Sequence, residues 1–327
     1  MRIALLGLGR IGTVHLSHLA SFEEVEVVLH DPGLDDATRA GLGVAIAATL
    51  DEALERADGV VVATPTALHA PHVLAAVDRG LPTFCEKPIA VDLDPSREVV
   101  ARAEAAGVEV QVGFHRRFDP GFVELRRRIA TGELGDLYLV RTACHDHVPP
   151  HPDYLATSGS IFRDMHTHDF DAIGWLTDRR IESVYAQGAV LVDEVFAHHG
   201  DVDTCTLSLR LEGGPLAVAT GARADGVGYD HRIEVFGSRD SASAGFDARM
   251  PLRSTDPGGP QPDEPYPGFA ERFAAAYRAE MAAFCDLVAG RGPNHVPAAA
   301  AIAALEVAVA ADRSLATGLP APVAEAS

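Results

Sequence analysis

An α/β fold, with a doubly wound parallel sheet followed by a second part built on an antiparallel or mixed sheet, is predicted by three observations in the 327-residue sequence. The chain begins with a short apolar run that meets a Gly-x-Gly-x-x-Gly turn, Gly7 to Gly12. Apolar runs and helix-capable stretches then alternate, the pattern of parallel strands joined by crossover helices. From Ile181 onward long strand-like runs follow one another instead, which places a domain boundary near Phe118.

The opening strand Arg2 to Leu6 leads into a helix-like segment, Thr13 to Ala20. Each glycine of the turn has a physical reason: Gly7 permits the tight turn, Gly9 lets backbone approach a pyrophosphate, and Gly12 lets the helix pack closely on the strand. The helix N-terminus offers unpaired N–H groups to phosphate. A second apolar run, Val25 to Leu29, ends at Asp31, about 20 residues beyond the glycines, where this fold places an acid on the adenosine ribose. Taken alone Asp31 is also an ordinary acid closing a strand; with the whole motif around it, and with Pro32-Gly33 rather than an Arg beside it, it predicts NAD over NADP.

Asp51 to Arg56 reads as a helix and Gly59 to Ala63 as a buried strand ending in Thr64-Pro65-Thr66, at the carboxyl edge where open α/β sheets bind ligands. Pro71 to Arg79 is a helix stopped by Gly80, and the short strand Pro82 to Cys85 runs into Glu86-Lys87-Pro88. An ammonium beside a nicotinamide can stabilise developing alkoxide charge, so Lys87 is a candidate, although by itself it also fits a solvated charge before a proline turn. A helix over Pro95 to Ala106 and a strand over Val108 to Val112 complete this part.

Beyond Phe118 come a helix over Pro120 to Thr131, a strand over Leu137 to Cys144, a Pro-rich loop from His145 to Pro152, and strands over Ile181 to Val192, Thr204 to Leu211, Leu216 to Ala222, Arg232 to Phe236 and Ser241 to Phe246. Thr255 to Pro267 is a loop, and helices over Phe269 to Ala289 and Ala298 to Ala316 close the chain. Phe273, Tyr277, Met281 and Phe284 recur at helical spacing and read as core.

Composition narrows the function. Hydrophobic residues at 47% and charged residues at 23% describe a globular protein, and a net charge of -20 repels phosphodiester backbones, which argues against a nucleic-acid partner. No apolar run reaches bilayer length, so no membrane partner is expected. The four cysteines, Cys85, Cys144, Cys205 and Cys285, are widely separated, which predicts reduced thiols in the cytoplasm.

One stretch of the second part carries chemistry: Tyr154 to Asp171, containing Phe162-Arg163-Asp164 and His168-Asp169-Phe170-Asp171. A helix over Asp164 to Leu176 puts Asp164 and His168 one turn apart on one face, where a carboxylate can fix an imidazole in the tautomer a general base needs. The same pair also fits a plain surface contact. His145, His147, His151, His166 and His168 lie near one another in sequence, but their spacing matches no metal-ligand motif, and no metal is expected.

These elements together resemble the glucose-fructose oxidoreductase and inositol dehydrogenase family over nearly the whole chain. The resemblance runs from Gly7 to Gly12 through Glu86-Lys87-Pro88, Gly113-Phe114 with Arg116-Arg117-Phe118-Asp119, and the Asp164 to Asp171 run, to Gly228-Tyr229-Asp230. It implies a Rossmann domain over residues 1–118, and over 119–327 an α/β domain for substrate binding and oligomerisation with a large open, mainly antiparallel sheet, its C-terminal helices packing back toward the first domain. It implies a catalytic set of Lys87, Asp164 and His168, with His168 as the base toward a substrate hydroxyl. It implies NAD held by Gly7, Gly9, Arg10, Ile11, Gly12, Asp31, Thr64, Pro65, His69, Glu86 and Lys87, and substrate contacts from Arg117 and Tyr229 beside the catalytic set. The inositol dehydrogenase branch fits best through Ser158-Gly159, with Ser160 a departure where many members carry a small glycine-type position. The expected activity is NAD-dependent oxidation of a secondary hydroxyl of a cyclic polyol, myo-inositol foremost, by a homodimer or homotetramer. A dehydrogenase of another sugar and a non-catalytic NAD-binding regulator are the alternatives.

Overall fold

The structure, a computed structural model, describes residues 1–323. By internal packing the chain divides into two compact units, residues 1–115 with 275–302, and residues 116–274 with the chain from 303 onward.

The first unit holds six strands: β1 (Arg2–Leu6), β2 (Glu26–His30), β3 (Ala45–Ile46), β4 (Gly59–Val62), β5 (Thr83–Cys85) and β6 (Val110–Val112). They pair in the order β3-β2-β1-β4-β5-β6, and every neighbouring pair is parallel. The strand order therefore reverses between β1 and β4, which is where ligands of such sheets bind. Ile3, Leu5, Val27, Leu29, Val61 and Phe84 are buried in one core with Leu16 and Leu19 of the first helix. Segment 275–302, which the sequence pattern alone leaves with the second domain, groups here because Met281, Phe284 and Cys285 of the helix Ala274–Val288 complete that core.

The second unit is built on seven strands: β7 (Leu137–His145), β8 (Ile181–Ala189), β9 (Thr204–Leu211), β10 (Leu216–Ala222), β11 (Asp230–Gly237), β12 (Ser241–Ala244) and β13 (Ala321–Pro322). Their order is β12-β11-β7-β10-β9-β8-β13. Only the pair of β7 and β10 is parallel; the other five are antiparallel. In β9 buried and exposed residues alternate strictly, so one face is covered and the other is open. On the open face of β10, Leu216 and Val218 remain 44% and 39% exposed. Among the described residues, no helix is long and apolar enough to cross a membrane.

Two helices expected to be continuous are broken. The run expected to be helical from Asp164 to Leu176 is split into Ile161–Asp164 and Thr167–Thr177. The Thr167 hydroxyl donates to the carbonyls of Arg163 and Asp164 (3.2 and 3.3 Å), while His168 N–H donates to Met165 O at 3.3 Å, three residues back. The Asp164 carbonyl is thereby taken by a side chain, and the chain tightens at Met165-His166. The closing helix stops at Arg272 and restarts at Ala274, because Phe273 leaves helical geometry and sets its ring edge-on to Tyr229 and His231, at 6.4 and 6.2 Å.

Candidate active site

In the first unit the glycine loop has the shape that its sequence implies. Gly7 has φ +92°, and a Cβ there would stand 2.7 Å from Ala63 O. At Gly12 a Cβ would meet Gly7 O at 2.3 Å, while at Gly9 it would meet nothing within 4 Å. Gly7 and Gly12 are thus fixed by crowding from the protein itself. Gly9 faces open space, as a backbone approached by a pyrophosphate requires. The helix that follows, Arg10–Leu19, starts within the motif, and its N-cap Gly9 has no side chain to satisfy the first N–H groups.

Asp31, half-buried at the end of β2, accepts from Leu8 N–H through Oδ2 and from Gly33 N–H through Oδ1, both at 2.8 Å. It therefore ties the glycine loop to its own turn, and each carboxylate oxygen keeps a lone pair for a ribose hydroxyl. These residues fit a dinucleotide: a loop open at Gly9, an uncapped helix N-terminus, and an anchored acid at the strand end.

The carboxyl ends of β4 and β5 are tied together by His69, whose Nε2 lies 2.7 Å from Thr64 O and whose Nδ1 lies 2.7 Å from Pro88 O. Pro65 is exposed and Lys87 half-buried on the two segments so joined. Glu86 accepts from His15 Nε2 at 2.6 Å, and a Cβ on Gly113 would press against Glu86 Oε2 at 2.8 Å. His15 comes from the first helix, so the residue before Lys87 is held by the element that also carries the phosphate loop. Glu280, fully buried, has no hydrogen-bond partner on either carboxyl oxygen; burial and the nearby charge of Glu86 raise it well above the usual carboxylate range. Burial and the neighbouring carboxylate both favour its protonated form.

In the second unit Asp164 ends one short helix and His168 lies in the first turn of the next. Asp164 is buried and accepts from Arg223 Nη1 through Oδ2 and from the Tyr154 hydroxyl through Oδ1, both at 2.8 Å. His168 is half-buried. Its neighbours His166 and Asp169 are fully buried and point elsewhere: Asp169 accepts from His166 Nδ1 (2.8 Å) and from Arg116 Nη1 (2.6 Å), and His166 Nε2 lies 3.2 Å from Cys205 Sγ. Burial opposes both charges, yet Arg116 and His166 hold Asp169 well below its ordinary range, and Cys205 and Asp169 push His166 up to about 9.

Arg117 donates to both carboxylate oxygens of Asp171, at 2.6 and 3.0 Å. Tyr229 is buried and stacks on His231 with centroids 4.0 Å apart and 10° between the planes. His231 Nδ1 in turn lies 2.7 Å from Arg116 Nη2. Among the described residues no group of three His, Cys, Asp or Glu side chains is arranged to hold a metal ion.

Two family models match in succession. Residues 1–114 match the oxidoreductase family with an NAD-binding Rossmann fold, and residues 122–243 match the GFO/IDH/MocA C-terminal domain. The chain belongs to the GFO/IDH/MocA oxidoreductase family. Myo-inositol dehydrogenase Hyg17 of Streptomyces leeuwenhoekii is 39% identical over 97% of this chain and 98% of its own. The myo-inositol 2-dehydrogenase of Thermotoga maritima is 34% identical, with 96% of each chain covered. The crystal structure of a myo-inositol dehydrogenase from Corynebacterium glutamicum superposes with a TM-score of 0.90 at 35% identity, over 100% of this chain and 99% of that one.

Family membership fits the cofactor edge just described, but several residues built into the site carried no sequence signal of their own. Arg223 stands at the end of a strand some 60 positions from Asp164. His15 is 71 positions from Glu86. A basic residue just after a strand with one buried face was the available clue for Arg223, since a side chain on that face needs an acid nearby.

Proposed function

We propose that this protein is an NAD-dependent inositol 2-dehydrogenase that oxidises a secondary hydroxyl of a cyclic polyol, with myo-inositol giving the 2-keto product. The observation that carries the reading is similarity along the full chain to enzymes named for that reaction, with Lys87, Asp164 and His168 all present. NAD, when bound, supplies the hydride acceptor. Gly7, Gly9, Arg10, Ile11 and Gly12 cradle its phosphates, Asp31 takes the ribose, and Thr64, Pro65, His69, Glu86 and Lys87 form the edge beside them.

His168 accepts the proton of the reacting hydroxyl at its imidazole as the carbon gives up its hydrogen. Lys87 donates to the same oxygen and stabilises the negative charge that grows on it. Asp164 orients the imidazole, and Arg117 and Tyr229 shape the substrate pocket. Residues 1–118 serve the cofactor, and 119–327 serve the substrate and subunit association, which uses the open sheet face bearing Leu216 and Val218 to form a homodimer or homotetramer. All four cysteines are buried free thiols, in keeping with the cytoplasm.

The test is NADH formation by absorbance with NAD or NADP and a panel of inositol isomers, glucose and xylose. Turnover with an inositol and NAD is expected; turnover with an aldose alone moves the substrate, and NAD binding without any turnover makes the protein a regulator. His168→Ala is expected to lower kcat by about 10²- to 10⁴-fold. A variant as fast as the native enzyme removes His168 from the mechanism.

A further inference from the structure

Arg223 is 1% exposed at the end of β10, and its guanidinium faces three carboxylates. Asp164 is the closest, at 2.8 Å from Nη1; Asp146 lies 3.8 Å from Nη1, and Asp201 lies 3.9 Å from Nη2. Each belongs to a different part of the unit: Asp164 to a helix end, Asp146 to the residue after β7, and Asp201 to the approach to β9. Asp201 also accepts from Ile161 N–H at 3.0 Å, at the start of the short helix that ends in Asp164. Asp146 stands 4.0 Å from His231 Nε2. Tyr154, on the preceding helix Pro152–Ser158, reaches Asp164 from the other side with its hydroxyl.

We propose that Arg223 and Tyr154 are positioning residues that hold Asp164 as a fixed carboxylate, so that Asp164 orients its neighbours and does not itself take the substrate proton. This rests on the reading of Asp164 and His168 as members of the catalytic set. A carboxylate that accepts from a buried guanidinium on one oxygen and a phenol on the other is confined in position and kept ionised. Oriented in this way, an anion stabilises an imidazolium formed beside it and leaves the proton there. Without Arg223 the three acids lose the guanidinium they share. Asp164 then protonates more easily, and an imidazole it orients holds its proton to higher pH.

The experiment uses the full-length enzyme, myo-inositol and NAD, and compares Arg223→Met, Arg223→Lys and Tyr154→Phe with the native chain. We expect Arg223→Met to lower kcat at least about tenfold, leave the NAD dissociation constant within about twofold, and move the acid limb of kcat/KM upward by about 1 pH unit or more. Arg223→Lys is expected to return the limb toward its native position, because it restores the cation. Tyr154→Phe is expected to move the limb the same way by less. A fall in kcat with the limb unmoved makes Arg223 merely structural and overturns the proposal. If Arg223→Met does not fold, Tyr154→Phe at its partly exposed site carries the test, and native kcat with a native limb overturns it. Asp164→Asn separates the two levels: full activity there sinks the catalytic reading itself, while an inactive Asp164→Asn beside an unmoved limb in Arg223→Met sinks only the positioning role.

Discussion

Raising the pH should remove one specific, buried contribution to the stability of the second unit. His166 is fully buried between Asp169 and Cys205, and its ordinary value of 6.5 is pushed up to about 9 by those two groups against the opposing effect of burial. A histidine whose folded pKa exceeds its unfolded pKa stabilises the fold fully below pH 6.5, and that contribution fades as the pH rises through about 9. At about 1.4 kcal/mol per pKa unit, the loss is on the order of 3 kcal/mol. The assay is urea unfolding across that window, with His166→Gln as the reference, since Gln fills the site without a titrating proton. Groups remote from His166 titrate alike in both chains, so the gap between the two stability curves reports His166 together with its partners Asp169 and Cys205. It should be widest at low pH and narrow steadily toward alkaline pH. Curves that stay parallel across the window refute the assignment of a charged His166 paired with Asp169.

Three further outcomes are expected. Gly12→Ala places a Cβ 2.3 Å from Gly7 O, so the helix must move off the loop; we expect about 1–3 kcal/mol of lost stability in urea and at least tenfold weaker NAD binding by titration calorimetry. Asp31→Ala removes the acceptor of Leu8 N–H and Gly33 N–H together with the proposed ribose contact, and NAD affinity measured by fluorescence titration should fall about 10- to 100-fold. Glu280→Met replaces a buried acid that has no hydrogen-bond partner on either oxygen with an apolar chain of similar size, and should raise unfolding stability at neutral pH by about 1–3 kcal/mol.

The parallel sheet was legible, apart from the two-residue strand β3, because its strands carry local signals. Short apolar strands ending in glycine, proline or an acid leave few ways to thread a sheet, and the Gly7 to Gly12 turn marks where it reverses. Strands β9 and β10 were legible to the residue, since alternation and the Gly213-Gly214 turn fix both ends. The helix over Asp164 to Leu176 was not. Periodicity is blind to a Thr167 hydroxyl that takes the Asp164 carbonyl, and the chain around His166 bends for a tertiary reason, the bonds of its ring to Asp169 and Cys205. Likewise a Phe273 at helical spacing reads as helix interior until its ring is seen edge-on to Tyr229.

The same limit governs the site. Within 161–171 the sequence singles out Asp164 and His168 by their one-turn spacing and leaves Arg163, His166, Asp169 and Asp171 without assigned partners. Their partners divide them. Arg163 binds Asp312 at 2.7 Å, Asp171 holds Arg117, and Asp169 and His166 form a buried chain with Arg116. Except for the partly exposed Arg163–Asp312 pair, those contacts satisfy charges inside the protein at considerable desolvation cost, which is how a fold fixes the direction of a helix. The run therefore mixes residues whose partners tie the helix Thr167–Thr177 into the unit with His168, which stands half-buried on that helix, while Asp164 ends the preceding helix and is itself held by Arg223 and Tyr154. A substitution in the anchoring subset should change stability first and activity as a consequence, whereas one at His168 should change activity with the fold intact. Sequence proximity cannot separate those two outcomes; the direction of each side chain's partner does.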